Sequence, residues 1–126
     1  MMFAPEFGRA EGTRVDKPWG YELRWAITDR YVGKVLHVNK GEALSLQFHE
    51  VKDECQYLVS GCVDMELGGS DGVLTRHRMN AGDTLHISPG TRHRVTAVED
   101  SDIFEVSTPE MEDVVRLEDR YGRSGT

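Results

Sequence analysis

A chain of 126 residues is the size of one domain, long enough to bury roughly two-thirds of its unfolded surface without a disulfide and too short for two independent cores. Its formal net charge of −7 and isoelectric point near 5.2 argue against nucleic acid or an anionic membrane as a partner, because phosphate binding runs on clustered Lys and Arg. The opening MMFAPEFGRAEGTR has neither the apolar run of a signal peptide nor the Arg/Ser pattern of a transit peptide, and no stretch approaches membrane-spanning length, so a soluble cytoplasmic protein is expected.

In chain order, Met1–Thr13 reads as a flexible N-terminus, 14–123 as one folded domain and Ser124–Thr126 as a loose tail. Apolar residues recur at short range through Tyr21-Leu23-Trp25, Val35–Val38 and Leu44-Leu46-Phe48, which is strand periodicity. Further strands are expected over Cys55–Ser60, Cys62–Leu67, Val73–Met79, Thr84–Ile87, Arg92–Val98 and Ile103–Ser107, separated by the turn sequences SG, GGSDG, NAGD, SPGT and EDSD. Many short strands with turns between them predict an all-β sandwich or barrel. Only Glu110–Tyr121, entered through Pro109-Glu-Met-Glu-Asp, suits a helix, and an irregular tail fits it equally. Two cysteines, Cys55 and Cys62, make no disulfide framework or zinc CxxC pattern and read as reduced residues of a β-hairpin.

The chemistry is concentrated in two blocks. In Gly41-Glu-Ala-Leu-Ser-Leu-Gln47-Phe-His49-Glu-Val-Lys-Asp-Glu54, period two puts Gln47 and His49 on one face of a strand. A short turn then brings Glu54 to the start of the next strand, where it can face that pair, so that three metal donors converge from one hairpin. In Gly82-Asp-Thr-Leu-His-Ile-Ser-Pro-Gly90-Thr-Arg-His93, a turn, a strand and a second glycine turn deliver His93 as a fourth donor. His37, His77 and His86 read as structural or exposed, and Trp19 and Trp25 as core or dimer-interface residues.

These blocks resemble the paired motifs of the cupin superfamily: a Gly, a His-x-His pair, a Glu and a Gly, then a Gly, a Pro-x-Gly and a His. Gln47 stands at the first His, the proline is displaced by one in Ser88-Pro89-Gly90, and the last position is Ala97. The resemblance implies a single-domain double-stranded β-helix, or jelly-roll barrel. A narrower likeness runs through Lys17-Pro-Trp-Gly-Tyr-Glu22, Leu44-Ser-Leu-Gln-Phe-His49 and Glu105-Val-Ser-Thr-Pro-Glu-Met-Glu-Asp-Val-Val-Arg-Leu-Glu-Asp-Arg-Tyr-Gly-Arg123. This is similar to the cupin domain of type II mannose-6-phosphate isomerases, which is often the C-terminal part of a bifunctional enzyme and also occurs alone. The likeness implies Gln47, His49, Glu54 and His93 as the ligands of one divalent metal. After the ligand His49 that family continues through His-His-Arg, where this chain has Glu50-Val51-Lys52. Lys52 keeps the positive charge but not the planar fork.

An aldose–ketose interconversion moves a proton between adjacent carbons through a charged intermediate that a dication stabilises. One carboxylate, two imidazoles and an amide would leave a bound dication with net charge near +1. The hard amide oxygen favours a Lewis acid, zinc first, with manganese or nickel as alternatives. Lys52 and Glu105 are the expected catalytic residues, Glu22 is a second candidate for the base, and Lys34, Arg116 and Arg123 are expected to bind a substrate phosphate. The reading is therefore a mannose-6-phosphate isomerase-like cupin acting on a sugar or sugar phosphate. Beside it stand a cupin that binds a sugar or acid without turning it over, and a dioxygenase or decarboxylase, which Gln47 disfavours. Homodimerisation through edge strands is the habit of such barrels.

Overall fold

The computed structural model describes residues 8–9 and 11–123; the expectations for the other N-terminal residues and for the 124–126 tail lie outside the described residues. Among the described residues eleven strands run in order: β1 (Thr13–Lys17), β2 (Gly20–Ile27), β3 (Val32–Val38), β4 (Leu46–Phe48), β5 (Glu54–Ser60), β6 (Cys62–Gly68), β7 (Leu74–Asn80), β8 (Thr84–Ile87), β9 (Arg92–Ala97), β10 (Ser101–Ser107) and β11 (Val115–Glu118). They form two antiparallel sheets, ordered β1-β2-β3-β10-β5-β8 and β11-β4-β9-β6-β7. This is an all-β jelly roll, as expected, and no helix among the described residues is long and apolar enough to cross a membrane.

The core between the sheets is built by alternation. On β10 the inward positions are Ser101, Ile103, Glu105 and Ser107, and on β5 they are Glu54, Gln56 and Leu58. At one end of the barrel the inward residues are apolar, with Val38, Leu58, Val63, Met65, Val95, Ala97 and Ile103 all nearly inaccessible. Towards the other end the same strands turn polar inside, and that end holds the site.

Consecutive strands repeatedly change sheet, which corrects two hairpins expected from the sequence. Cys55 on β5 and Cys62 on β6 belong to different sheets, so they share no hairpin. The crossing depends on Gly61: its φ of +93° suits glycine, and a Cβ there would collide with Ser101 and the Asp100 carbonyl. β4 and β5 likewise lie in opposite sheets. Gln47 and His49 therefore face Glu54 across the barrel interior and not along one ladder.

The expected helix over Glu110–Tyr121 is also corrected. Thr108–Val114 is an irregular strap and Val115–Glu118 is β11, paired with the edge of β4 at Val115↔Phe48 and Arg116↔Gln47. The strap residue Asp113 spends its carboxylate on the backbone N–H groups of Glu50, Val51 and Lys52, at 3.0, 2.7 and 2.8 Å. Met111, Val114, Leu117 and Tyr121 have helical spacing, but the edge of β4 offers unmet backbone bonds that the extended Val115–Glu118 segment takes up.

Candidate metal centre

Two rows of side chains face one another across a cavity of about 180 Å³. In the second sheet the register sets Arg116, Gln47, His93 and Leu67 side by side across β11, β4, β9 and β6. In the first sheet it sets Arg24, Lys34, Glu105 and Gln56 side by side across β2, β3, β10 and β5. His49 follows β4, and Glu54 opens β5.

His49, Glu54 and His93 are all buried, with ligand atoms within 4.8 Å of one another. Each imidazole is oriented from behind. The Nδ1 of His49 lies 2.5 Å from the Asp113 carbonyl oxygen, and that of His93 lies 2.9 Å from the carbonyl oxygen of Thr91. Nδ1–H donation to those carbonyls leaves each Nε2 lone pair pointing inward. Both Nε2 atoms meet the same oxygen, Glu54 Oε1, at 3.2 and 3.3 Å. Two lone pairs on a carboxylate require either a proton on each ring or one cation among the three. The other carboxylate oxygen, Oε2, is buried without a hydrogen-bond partner. An orphaned buried acceptor beside two lone pairs fits a metal ion. Gln47, opposite His93 in register and lining the same cavity, is placed to add an amide oxygen.

Beside this group, Lys52 is buried, with Nζ 3.2 Å from Glu105 Oε2 and 3.6 Å from Glu54 Oε2. Burial pushes the Lys52 ammonium down, and the Glu105 and Glu54 charges more than reverse it, so its affinity for its proton is raised. Burial also pushes Glu54 up, but the neighbouring His49, His93 and Glu105 and the Lys52 charge more than reverse it and hold it well below the usual carboxylate range. Glu105 goes the other way, to about 8, chiefly through burial and then through the neighbouring Glu54 charge. Burial and mutual repulsion thus push the two neighbouring carboxyls in opposite directions, and they titrate as a pair.

The nine residues given a first-choice metal, catalytic or phosphate role from the sequence all line this one cavity: Gln47, His49, Glu54, His93, Lys52, Glu105, Lys34, Arg116 and Arg123. Glu22 lines it too, but its carboxylate is committed to Arg24 at 2.6 Å and Lys34 at 3.1 Å. Those two cations outweigh the upward push of burial on Glu22, which stays ionised. His37, His77 and His86 do not line the cavity; they bond to Asp102, Thr75 and Asp53. Trp19 is in the core, whereas Trp25 is 45% exposed on the outer face of the first sheet. Sequence reasoning gave no role to Lys17 and Arg24, which line the cavity, or to Asp113, which orients His49. Lys17 and Asp113 both stood inside quoted motifs, but Asp113 read as an acidic residue of a helix start.

Residues 34–106 match the family of the cupin domain, and the chain belongs to that family. Among individual relatives it is 30% identical over 125 residues to the xanthan biosynthesis protein XanB of Xanthomonas campestris pv. campestris, covering 93% of this chain and 26% of that one. It is 32% identical over 117 residues to the mannose-1-phosphate guanylyltransferase ManC of Salmonella typhimurium, covering 86% of this chain and 23% of the other. The chain thus spans about a quarter of the length of these curated relatives. The solved structure of KdgF from Halomonas sp. superposes with a TM-score of 0.70 at 24% identity, over 80% of this chain and 91% of that one, a likeness of fold.

Proposed function

We propose that the chain is a metal-dependent, mannose-6-phosphate isomerase-like cupin that interconverts an aldose and a ketose on a sugar phosphate or related carbohydrate. The observation that carries this reading is the union, in one cavity, of the His49/Glu54/His93 donors and Gln47 with the buried Lys52–Glu105 pair, 3.2 Å apart. The names of the relatives, a mannose-1-phosphate guanylyltransferase and a polysaccharide biosynthesis protein, point the same way.

Gln47, His49, Glu54 and His93 would hold the ion, zinc in the first instance with manganese or nickel as alternatives. When bound, it supplies Lewis-acid polarisation of a sugar carbonyl or hydroxyl. The remaining work falls to the chain's own side chains. Isomerisation needs a group that takes a proton from one carbon and returns it to the next. Glu105 is assigned that task, being the buried carboxyl beside the donor set that is not itself a donor. Lys52 orients it and brings a fixed positive charge to where oxygen becomes negative. Trp19, Leu36, Met65 and Val95 give the cavity an apolar floor that limits water. Homodimerisation belongs to the same proposal, with β1, β8, β7 and β11 as the strands that end the two sheets.

A second reading, metal-dependent binding without turnover, is favoured by one observation: the Lys52 ammonium is already engaged by both Glu54 and Glu105. A coupled assay of mannose 6-phosphate conversion by metal-loaded protein separates the two. Metal-dependent turnover that disappears in Glu105→Gln, with metal retained, is expected. Bound metal with no turnover of that substrate would shift the assignment to the binding module.

A further inference from the structure

The cavity is cationic in an acidic protein: Lys17, Arg24, Lys34, Lys52, Arg116 and Arg123 line it against Glu22, Glu54, Glu105 and Glu112. The cations are not equally available. Lys52 belongs to Glu105 and Glu54. Lys34, with only 8% of its side chain exposed, is held by Glu22. Arg123 is bound bidentately by Asp119, through Nε at 3.0 Å and Nη2 at 2.8 Å. Lys17 has no ion-pair partner among the described residues, and Arg24 gives only its Nε to Glu22, leaving its Nη groups without a hydrogen-bond acceptor there.

Arg24 also sits across the first sheet from the metal donor Glu54, and Lys17, which closes β1 opposite Gly20, lines the same cavity. Arg24 is opposite Lys34 on β3, and Lys34 is opposite Glu105 on β10, the strand beside β5 and its Glu54. Two strand spacings, roughly 10 Å at about 4.8 Å each, therefore separate β2 from the strand that carries Glu105. That is a suitable reach for a sugar held at its carbonyl end by one side of the cavity and at its other end by the opposite side. Burial holds the Lys17 ammonium below its ordinary value, Glu22 opposes this, and Arg24, Arg123 and Lys34 add to it. A bound anion would relieve that repulsion.

We infer that Lys17 and Arg24, and not Lys34 and Arg123, receive the anionic group of the substrate, a phosphate or carboxylate at the end of a carbohydrate remote from its carbonyl. This assignment rests on the carbohydrate reading above, and its test needs no turnover. Of Lys34, Arg116 and Arg123, expected from sequence to bind a phosphate, Lys34 and Arg123 are already paired and Arg116 stands beside Gln47 on the metal side of the cavity. Arg24 contributes a planar fork, suited to two oxygens of one anion, and Lys17 a point charge.

The test is calorimetric titration of the full chain, metal-loaded and metal-free, with inorganic phosphate and separately with glucuronate. At least one anion should bind saturably. Lys17→Gln and Arg24→Gln should each weaken it about tenfold, the equivalent of ~1.4 kcal/mol, in both metal states and with metal content unchanged. Arg24→Lys should recover part of the loss. Lys34→Gln and Arg123→Gln should change it less than the first pair, and Arg78→Gln, in an exposed pair with Asp64, not at all. Tighter phosphate marks a sugar phosphate, tighter glucuronate a uronic acid, and either supports the subsite. No saturable binding of either anion, or affinity unchanged in the Lys17→Gln/Arg24→Gln double variant, overturns it. Failure of the isomerase assay alone leaves this result standing, and loss of metal without loss of anion binding tells against the metal centre only.

Discussion

The two faces of the six-stranded sheet invert the usual order. Its inner face at the site end carries Glu22, Lys34, Glu54, Gln56 and Glu105, all buried, while its outer face shows Trp25, Tyr57, Val59, Phe104 and Val106 to solvent. The outer residues are neighbours in register, with Phe104 opposite both Tyr57 and Val35. In a half-buried strand, alternation normally sends apolar residues inward. Here it sends charge inward, and the same strands revert to Leu58 and Ile103 at the closed end. Buried charge is costly unless paired, so its concentration on one stretch of one face marks where stability has been exchanged for a binding site.

Breaking the inner face should have the largest effect on folding. In Lys52→Met the Glu54 and Glu105 carboxyls lose their shared cation, and a loss of about 3 kcal/mol of unfolding free energy is expected in urea titration, the usual order for one partner removed from a buried pair. Adding Glu105→Gln should restore part of it; a double variant no more stable than the single would mean the cost lies in packing. Sharpening the comparison, Asp113→Ala should leave the three N–H groups of Glu50, Val51 and Lys52 unmet and loosen the segment between His49 and Glu54. Metal affinity by competition with a chromophoric chelator should fall roughly 10–100-fold, as for other groups that orient ligands. An unchanged affinity would show that the segment is held by other contacts.

The outer face should respond least. Phe104 is 45% exposed, so Phe104→Ser should cost under about 1 kcal/mol, well below a core truncation. A larger loss would show that this face is covered in solution, and sedimentation of the same variant would detect a lost dimer.

What could be read from the sequence follows from what alternation encodes. β8, Thr84–Ile87, coincides with its expected span because a Gly turn and a Pro-Gly turn bound it. β10 begins at Ser101 instead of Ile103, since its polar start resembles the preceding turn. Alternation does not say which sheet a strand joins, so β4 with β5 and β5 with β6 read as hairpins when each pair crosses between sheets. β11 was hidden because its Val115-Arg116-Leu117-Glu118 alternation runs for only four residues inside a charged stretch that also has helical spacing. The His49/Glu54/His93 group was legible in the spacing of its two glycine-bounded blocks, although the hairpin expected to join His49 to Glu54 does not form. Lys17 and Arg24 were given no role, because a cation on a strand reads as a solvated residue until the fold places it in the cavity.

The central claim is that His49, Glu54 and His93 form a metal centre. Elemental analysis of the purified full chain after chelation and reloading tests it most directly, with Glu54→Gln alongside and thermal melts confirming that both are folded. The account predicts one divalent ion per chain and its loss in the folded variant. No bound metal under any loading, or an ion retained undiminished in Glu54→Gln, would contradict it.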